Sequence, residues 1–325
     1  MNNIRSSTQH LVTATHQFDP NYQGNLTNHL PMALVALDLS GASEARIQRF
    51  YDHYVKILDP KKASRTAKQP QISNRDHFND WQAFFLNEIH SHGIETCLKT
   101  QLPVLVEGIA AAAFHGLIRL SYAIDLGSPD EISHALAYLA SEYQYLGDLQ
   151  TTNSYSLEEQ IVEGHNLFHQ HSFEPGIIVD RVQEVIESER YVSISAIPDT
   201  LPLEKVRDVI LKQFIRTNDF TYLHGVTGLQ AFINILPYLQ DQTVGLQRFW
   251  QAYVAAYCAS SPYAKATDCT ITHPSKNWQQ RLQRASQSND DHTIKLVFSC
   301  YRIDQSHPTP LSIQAAEMRL AKESL

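Results

Sequence analysis

Four histidines stand on separate, largely apolar helical segments: His29 in NHLPMAL, His115 in AAAFHGLIRLSYA, His224 in FTYLHGVTGLQAF and His292 in DDHTIKL. Imidazole is costly to bury without a partner, and its neutral ring nitrogen is the commonest metal ligand among side chains. If the four helices converge, they offer four neutral nitrogens to one divalent ion. Taken singly, each is more often a hydrogen-bonded core histidine than a ligand. Geometry decides: ligands of one ion must bring their nitrogens within about 5 Å of one point. Gly116 and Gly225 follow His115 and His224. A helical glycine costs roughly 1 kcal/mol relative to alanine, so a close approach of another element is expected there.

Lys295 lies three residues after His292, on the same helical face. A lysine buried beside a metal has its pKa lowered by desolvation and by the cation. Its neutral amine can take up carbon dioxide and become a carbamate, an anionic oxygen ligand. The alternative is a surface lysine with its stem on the apolar face. Other groupings are weaker. His165, His169 and His171 cluster locally but lack the glutamate of H-E-x-x-H, Asn166 standing in its place. The E-x-x-H of Glu131 and His134 is a single copy of a motif that di-iron bundles use twice. No dinucleotide or P-loop glycine pattern and no G-x-S-x-G occurs, so no flavin motif and no serine-hydrolase signature is visible.

The elements that must position these residues are helical. Residues 1–24 are polar and read as a flexible arm. Thr27 or Asn28 caps a first helix, with Pro31 in its first turn where N–H groups lack partners anyway. Apolar residues at spacings of three and four predict a helix over 43–58, and further helices at 78–91, 93–101 and 130–146. The stretch 103–124 is apolar nearly all round and predicts one long buried helix. After a polar link at 147–157, helical patterns recur at 157–170, 175–190, 203–216, 219–239, 243–259, 276–286, 289–303 and 309–323. Residues 191–197, YVSISAI, are the main strand candidate. The expected fold is all-α: one large multi-helix domain over 25–325, with room for two lobes sharing a core and a metal or substrate pocket between central helices.

Composition narrows the classes. At 325 residues, 43% hydrophobic and 18% charged, the chain supports a substantial core. A net charge of −8 without a basic block argues against nucleic acid. Cys97, Cys258, Cys269 and Cys300 are scattered, which favours a reducing, cytoplasmic setting over a disulfide framework. No signal-peptide run or membrane span is evident.

NHLPMAL, AFHGLIRLSYA, YLHGVTG and DDHTIK, in that order and spread over residues 25–305, resemble the questin oxidase-like family. That family includes fungal enzymes acting on anthraquinones. The resemblance implies an oxidoreductase that uses dioxygen to open or expand a quinone or phenolic ring. It implies a non-haem metal, with Fe(II) first and Zn or Mn as alternatives, held by His29, His115, His224 and His292, with Lys295 as a carboxylated ligand. Its partners would be a small aromatic substrate and dioxygen. Arg119 and Tyr122, four and seven residues after His115, share its helical face. They are candidates to hold a phenolate oxygen, and otherwise a packing ion pair and a core tyrosine. The rival expectations are an NADPH-linked Baeyer–Villiger-type monooxygenase, a metal-dependent hydrolase in the same pocket, or a helical binding or scaffold protein without catalysis.

Overall fold

The structure is a computed structural model that describes residues 4–62, 69–152, 154–266 and 277–322. Among the described residues, the first eight helices are α1 Ser6–Ala14, α2 Leu30–Leu39, α3 Glu44–Tyr54, α4 Phe78–His92, α5 Ile94–Leu105, α6 His115–Leu126, α7 Pro129–Ser141 and α8 Leu157–Phe168. They are followed by α9 Ile178–Glu187, α10 Glu189–Val192, α11 Leu203–Thr217, α12 Phe220–Ile235, α13 Gln242–Ser260, α14 Trp278–Gln287, α15 Asp291–Ser306 and α16 Pro310–Lys322. Two very small sheets complete the architecture. Asn21–Tyr22 pairs antiparallel with Leu26–Thr27, and Thr151–Thr152 pairs parallel with Ile197–Pro198. The fold is therefore all-α. Among the described residues, no helix is long and apolar enough to cross a membrane. Cys269 lies outside the described residues.

The centre is a packed group of four helices. α6 packs on α2 and α12, and α15 packs on both α2 and α12. Their sequences explain the placement: Leu30 to Leu37 of α2 are all buried, and α6 and α12 are buried over most of their lengths. A helix apolar all round its circumference belongs inside a domain. The N-cap of α2 is His29 rather than the expected Thr27 or Asn28. Asn28 Oδ1 accepts from the Leu30 N–H, with Pro31 in the first turn. Ser43 caps α3, whose buried face is Ile47, Phe50 and Tyr54.

Three expectations meet a different outcome. The segment read as a flexible arm carries α1, whose Val12 is buried and whose leading Arg5 pairs with Asp38 of α2 at 3.0 Å. The single long helix expected over 103–124 is broken. α5 ends at Leu105, and Ala112, Ala113 and Phe114 adopt left-handed φ values of 48°, 55° and 69° before α6 begins at His115. Left-handed backbone costs an L-residue roughly 1–2 kcal/mol. Burial of the Phe114 ring, which packs on Phe249 at 5.6 Å, offsets part of that. The strand expected at 191–197 is helical at its start, and only Ile197 joins a sheet. The polar link at 147–157 is tied to α13, because the Gly147 carbonyl accepts from Arg248 and the Leu146 carbonyl from Gln251.

Candidate metal centre

Each of the four central helices presents a histidine at or near its N-terminal end. His29 is the N-cap of α2, His115 opens α6, His292 is the second residue of α15 and His224 the fifth of α12. One ring nitrogen from each lies within 4.8 Å of those of the other three. An ion with bonds near 2 Å spans nitrogens up to about 4 Å apart, so a closing of the widest pair by under about 1 Å brings all four to one ion. The rings interlock rather than scatter: His29 stacks on His115 at 4.5 Å, and His292 meets His29 edge-on at 4.7 Å and His224 at 5.2 Å.

The hydrogen bonds fix which nitrogen faces inward. His29 Nδ1 donates to Asp291 Oδ2 at 2.5 Å, His224 Nδ1 to the Phe220 carbonyl at 2.8 Å, and His292 Nδ1 to Asp290 Oδ1 at 3.3 Å. His115 Nδ1 donates to the Ala112 carbonyl. All four partners are acceptors, so the proton sits on Nδ1 and the lone pair on Nε2. All four Nε2 atoms are buried and, among the described residues, have no hydrogen-bond partner. One such orphan costs about 1–3 kcal/mol. Four aimed into one space form the arrangement that metal-ligating histidines show, with Nδ1 anchored and Nε2 left for the ion. The strained turn at 112–114 has a local consequence here, since it places the Ala112 carbonyl where His115 Nδ1 can reach it.

Three of the imidazoles, His29, His115 and His224, are held neutral, as ligation requires. Burial, then the charge of Lys295, pushes the His29 pKa down to about 3 against the pull of Asp291. Burial and neighbouring imidazoles hold His115 and His224 well below the ordinary histidine value. The converging helix N-termini add positive potential, which also disfavours the imidazolium form.

Asp291 is the residue that the sequence alone did not bring forward. Beyond His29, its Oδ2 lies 2.9 Å from Lys295 Nζ and 3.5 Å from His292 Nδ1. Burial pushes this carboxyl up, yet Lys295, His29 and His292 together hold it well below the usual carboxylate range. The signal was available: Asp291 and Lys295 are spaced i, i+4, the helical ion-pair spacing. Asp290 caps α15, and with Asp291 and His292 it forms a second close group of metal-ligating side chains. Two phenols stand behind His29: Tyr22 hydrogen-bonds to Tyr54, which also meets the His29 backbone. We predict that Asp291→Asn lowers metal affinity about 10- to 100-fold, the usual cost of losing a group that orients a ligand. Titration with Fe(II) or Mn(II) under anaerobic conditions measures it, and an unchanged affinity would remove Asp291 from the centre.

Lys295 is brought to the centre, its side chain 2% exposed. It meets Asp291 there as a buried ion pair. Burial lowers its pKa while Asp291 pulls it back up.

Arg119 and Tyr122 are not brought to the centre. Arg119 points its guanidinium at Glu131, with Nε and Nη2 donating at 2.7 and 3.1 Å. Tyr122 stacks on Phe298 at 6.0 Å, and its buried hydroxyl faces Ser299. Seven helical residues advance about 10 Å along the axis, which carries Tyr122 away from the imidazoles even though it shares their helical face. Glu131 also accepts from His16 Nε2 at 2.7 Å, and the His16 and His134 rings stack at 3.8 Å. The E-x-x-H pair thus serves an ion-pair network. Burial pushes the Glu131 carboxyl up, but Arg119 and His16 bring it down to about 2. A depressed carboxyl stabilises the fold above its unfolded value of about 4.3, and that contribution is lost as pH falls towards 2. The depression corresponds to about 3 kcal/mol. Urea unfolding at pH 5, 4 and 3 is therefore expected to show a flatter loss of stability for Glu131→Gln than for the native chain; parallel curves would contradict this.

The other histidine cluster is occupied locally. His165 Nδ1 bonds to Ser261 Oγ at 2.8 Å, and His171 pairs with Glu184 at 2.7 Å. Among the described residues, no group of three or more metal-ligating side chains forms there. The two glycines behave as their positions suggest. A Cβ at Gly116 would lie 3.0 Å from the Leu139 backbone of α7, and one at Gly225 would lie 2.6 Å from the Tyr253 ring. Close packing of α6 and α12 on their neighbours therefore depends on both.

An all-helical body with four inward-facing imidazoles defines a class of candidate metalloproteins. Within it, the questin oxidase-like family model matches residues 26–217, more than half of the chain, and the protein belongs to that family. The matched span holds His29 and His115, while His224, His292 and Lys295 lie beyond it. No curated protein matches the chain.

Proposed function

We propose that this protein is an oxygenase that acts on a phenolic or quinone-type substrate at a non-haem metal, Fe(II) before Mn or Zn, held by His29, His115, His224 and His292. The observation that carries the proposal is the set of four buried Nε2 atoms without partners, each on a ring whose Nδ1 is anchored. Membership of an oxidase-like family supports an oxidoreductase. It also favours a redox-active ion over zinc, which has no redox chemistry. Bound there, ferrous iron would activate dioxygen and relay to it the electrons that the phenolic substrate gives up.

The chain's own residues set the conditions. Neutral imidazoles leave the positive charge of the ion uncompensated, and four helix N-termini add to it. The site therefore favours an anionic partner, which a phenolate supplies. Asp291 and Asp290 hold His29 and His292 in the required tautomer. Burial of the four Nε2 atoms keeps bulk water from them. Lys295, as an ammonium, fixes Asp291; converted by carbon dioxide to its carbamate, it would instead bring an anionic oxygen to the ion. Carbon-13 NMR after exchange with labelled bicarbonate separates the two forms.

Oxygen uptake with a panel of hydroquinones and phenols tests the function. Uptake by the iron-loaded protein, lost in the metal-free protein and independent of NADPH, is the expected result. A requirement for NADPH would favour the Baeyer–Villiger-type alternative, and ester hydrolysis without oxygen uptake would favour a hydrolase.

A further inference from the structure

Phe220 opens α12 and is 55% exposed. A single exposed phenylalanine ordinarily needs no explanation, but the position of this one does. Its ring centroid lies 4.7 Å from that of His224 and 4.6 Å from that of His292. It is thus an apolar ring that touches two of the four imidazoles on one side while showing surface to solvent on the other. Its backbone carbonyl is the group that anchors His224 Nδ1. The side chain is therefore not needed to orient His224. The helix is already capped by Asp219, which accepts from the Thr221 and Tyr222 N–H groups, so the phenyl ring is not needed to start the helix either.

We propose that Phe220 is a substrate platform on the solvent side of the centre, stacking a flat aromatic ring so that it is held beside His224 and His292. The inference rests on the proposed metal centre and adds the residue that selects planar substrates. Aromatic rings prefer offset or edge-to-face contact, and a pair of this kind changes affinity roughly 3- to 10-fold. A flat phenol resting on the exposed face adds a further aromatic contact to the edge-on one with His224 and the tilted one with His292.

The test compares the full-length native chain with Phe220→Ala, Phe220→Leu and Phe220→Trp. Binding of 2-naphthol, a flat fluorescent phenol, is measured against its saturated analogue 2-decalol, with the protein both metal-free and loaded with Fe(II) under anaerobic conditions. Metal content is measured alongside. The expected result is full metal occupancy in every variant, because the anchoring carbonyl is retained. Phe220→Ala and Phe220→Leu lose roughly 3- to 10-fold in 2-naphthol affinity and change little towards 2-decalol, while Phe220→Trp keeps the preference. Unchanged 2-naphthol binding in Phe220→Ala, or native-like preference in the apolar but non-planar Phe220→Leu, overturns the proposal. Absence of metal from all four proteins, with the naphthol preference still dependent on Phe220, would instead overturn the metal reading and leave the platform standing.

Discussion

Replacing His224 with leucine is expected to lower metal affinity about a hundredfold and to leave the metal-free protein as stable as the native chain, or more so. Structural zinc sites gain roughly 10–16 kcal/mol from four ligands, so one ligand stands for about 3 kcal/mol, a factor near 10². The stability half of the prediction comes from the orphaned atom. His224 Nε2 is buried and unpartnered, and in metal-free protein its removal relieves a desolvation cost of about 1–3 kcal/mol. The Phe220 carbonyl keeps its helical partner when the side-chain bond is lost, leucine is close to histidine in volume, and it forms helix better. A histidine that served only the core would behave the opposite way, losing stability with no change in metal. Isothermal titration with Fe(II) or Mn(II) and urea unfolding of the metal-free protein read the two halves separately.

The second large effect is at Lys295. Lys295→Met leaves the Asp291 carboxylate buried without its cation, and breaking a buried ion pair in this way costs about 3–5 kcal/mol. The double variant Asp291→Asn with Lys295→Met removes both charges and is expected to recover much of that loss. The coupling energy from the double-mutant cycle is then well above the few tenths of a kcal/mol that independent sites show. Measured on metal-free protein, a loss under about 1 kcal/mol for Lys295→Met would mean that the amine is not the counter-charge of Asp291.

Much of this site could be seen before folding was considered. Apolar segments with helical periodicity located α2, α3, α12 and α15, and the four histidines stood out because each interrupted such a segment. What could not be seen was set by tertiary contacts. The sequence AAAF favours helix locally, and nothing in it announces three left-handed residues. Packing of Phe114 against Phe249 and the bond from His115 to the Ala112 carbonyl, both tertiary or local to the fold, offset part of their cost. The polar first residues form α1 because α2 and α3 supply a surface for Val12 and a carboxylate for Arg5. Arg119 and Tyr122 were placed by helical face alone, which ignores displacement along the axis and the nearby Glu131. Asp291 reaches His29 from another helix and Lys295 one turn away, and the first of these contacts exists only in the folded chain.

Metal analysis of untagged protein, expressed with iron and purified without oxygen, tests the central claim most directly. The account predicts close to one transition-metal ion per chain in the native protein, with iron foremost, and a loss of that ion in His224→Leu. Native protein that carries no transition metal, and takes up none when offered Fe(II), Mn(II) or Zn(II), would contradict it.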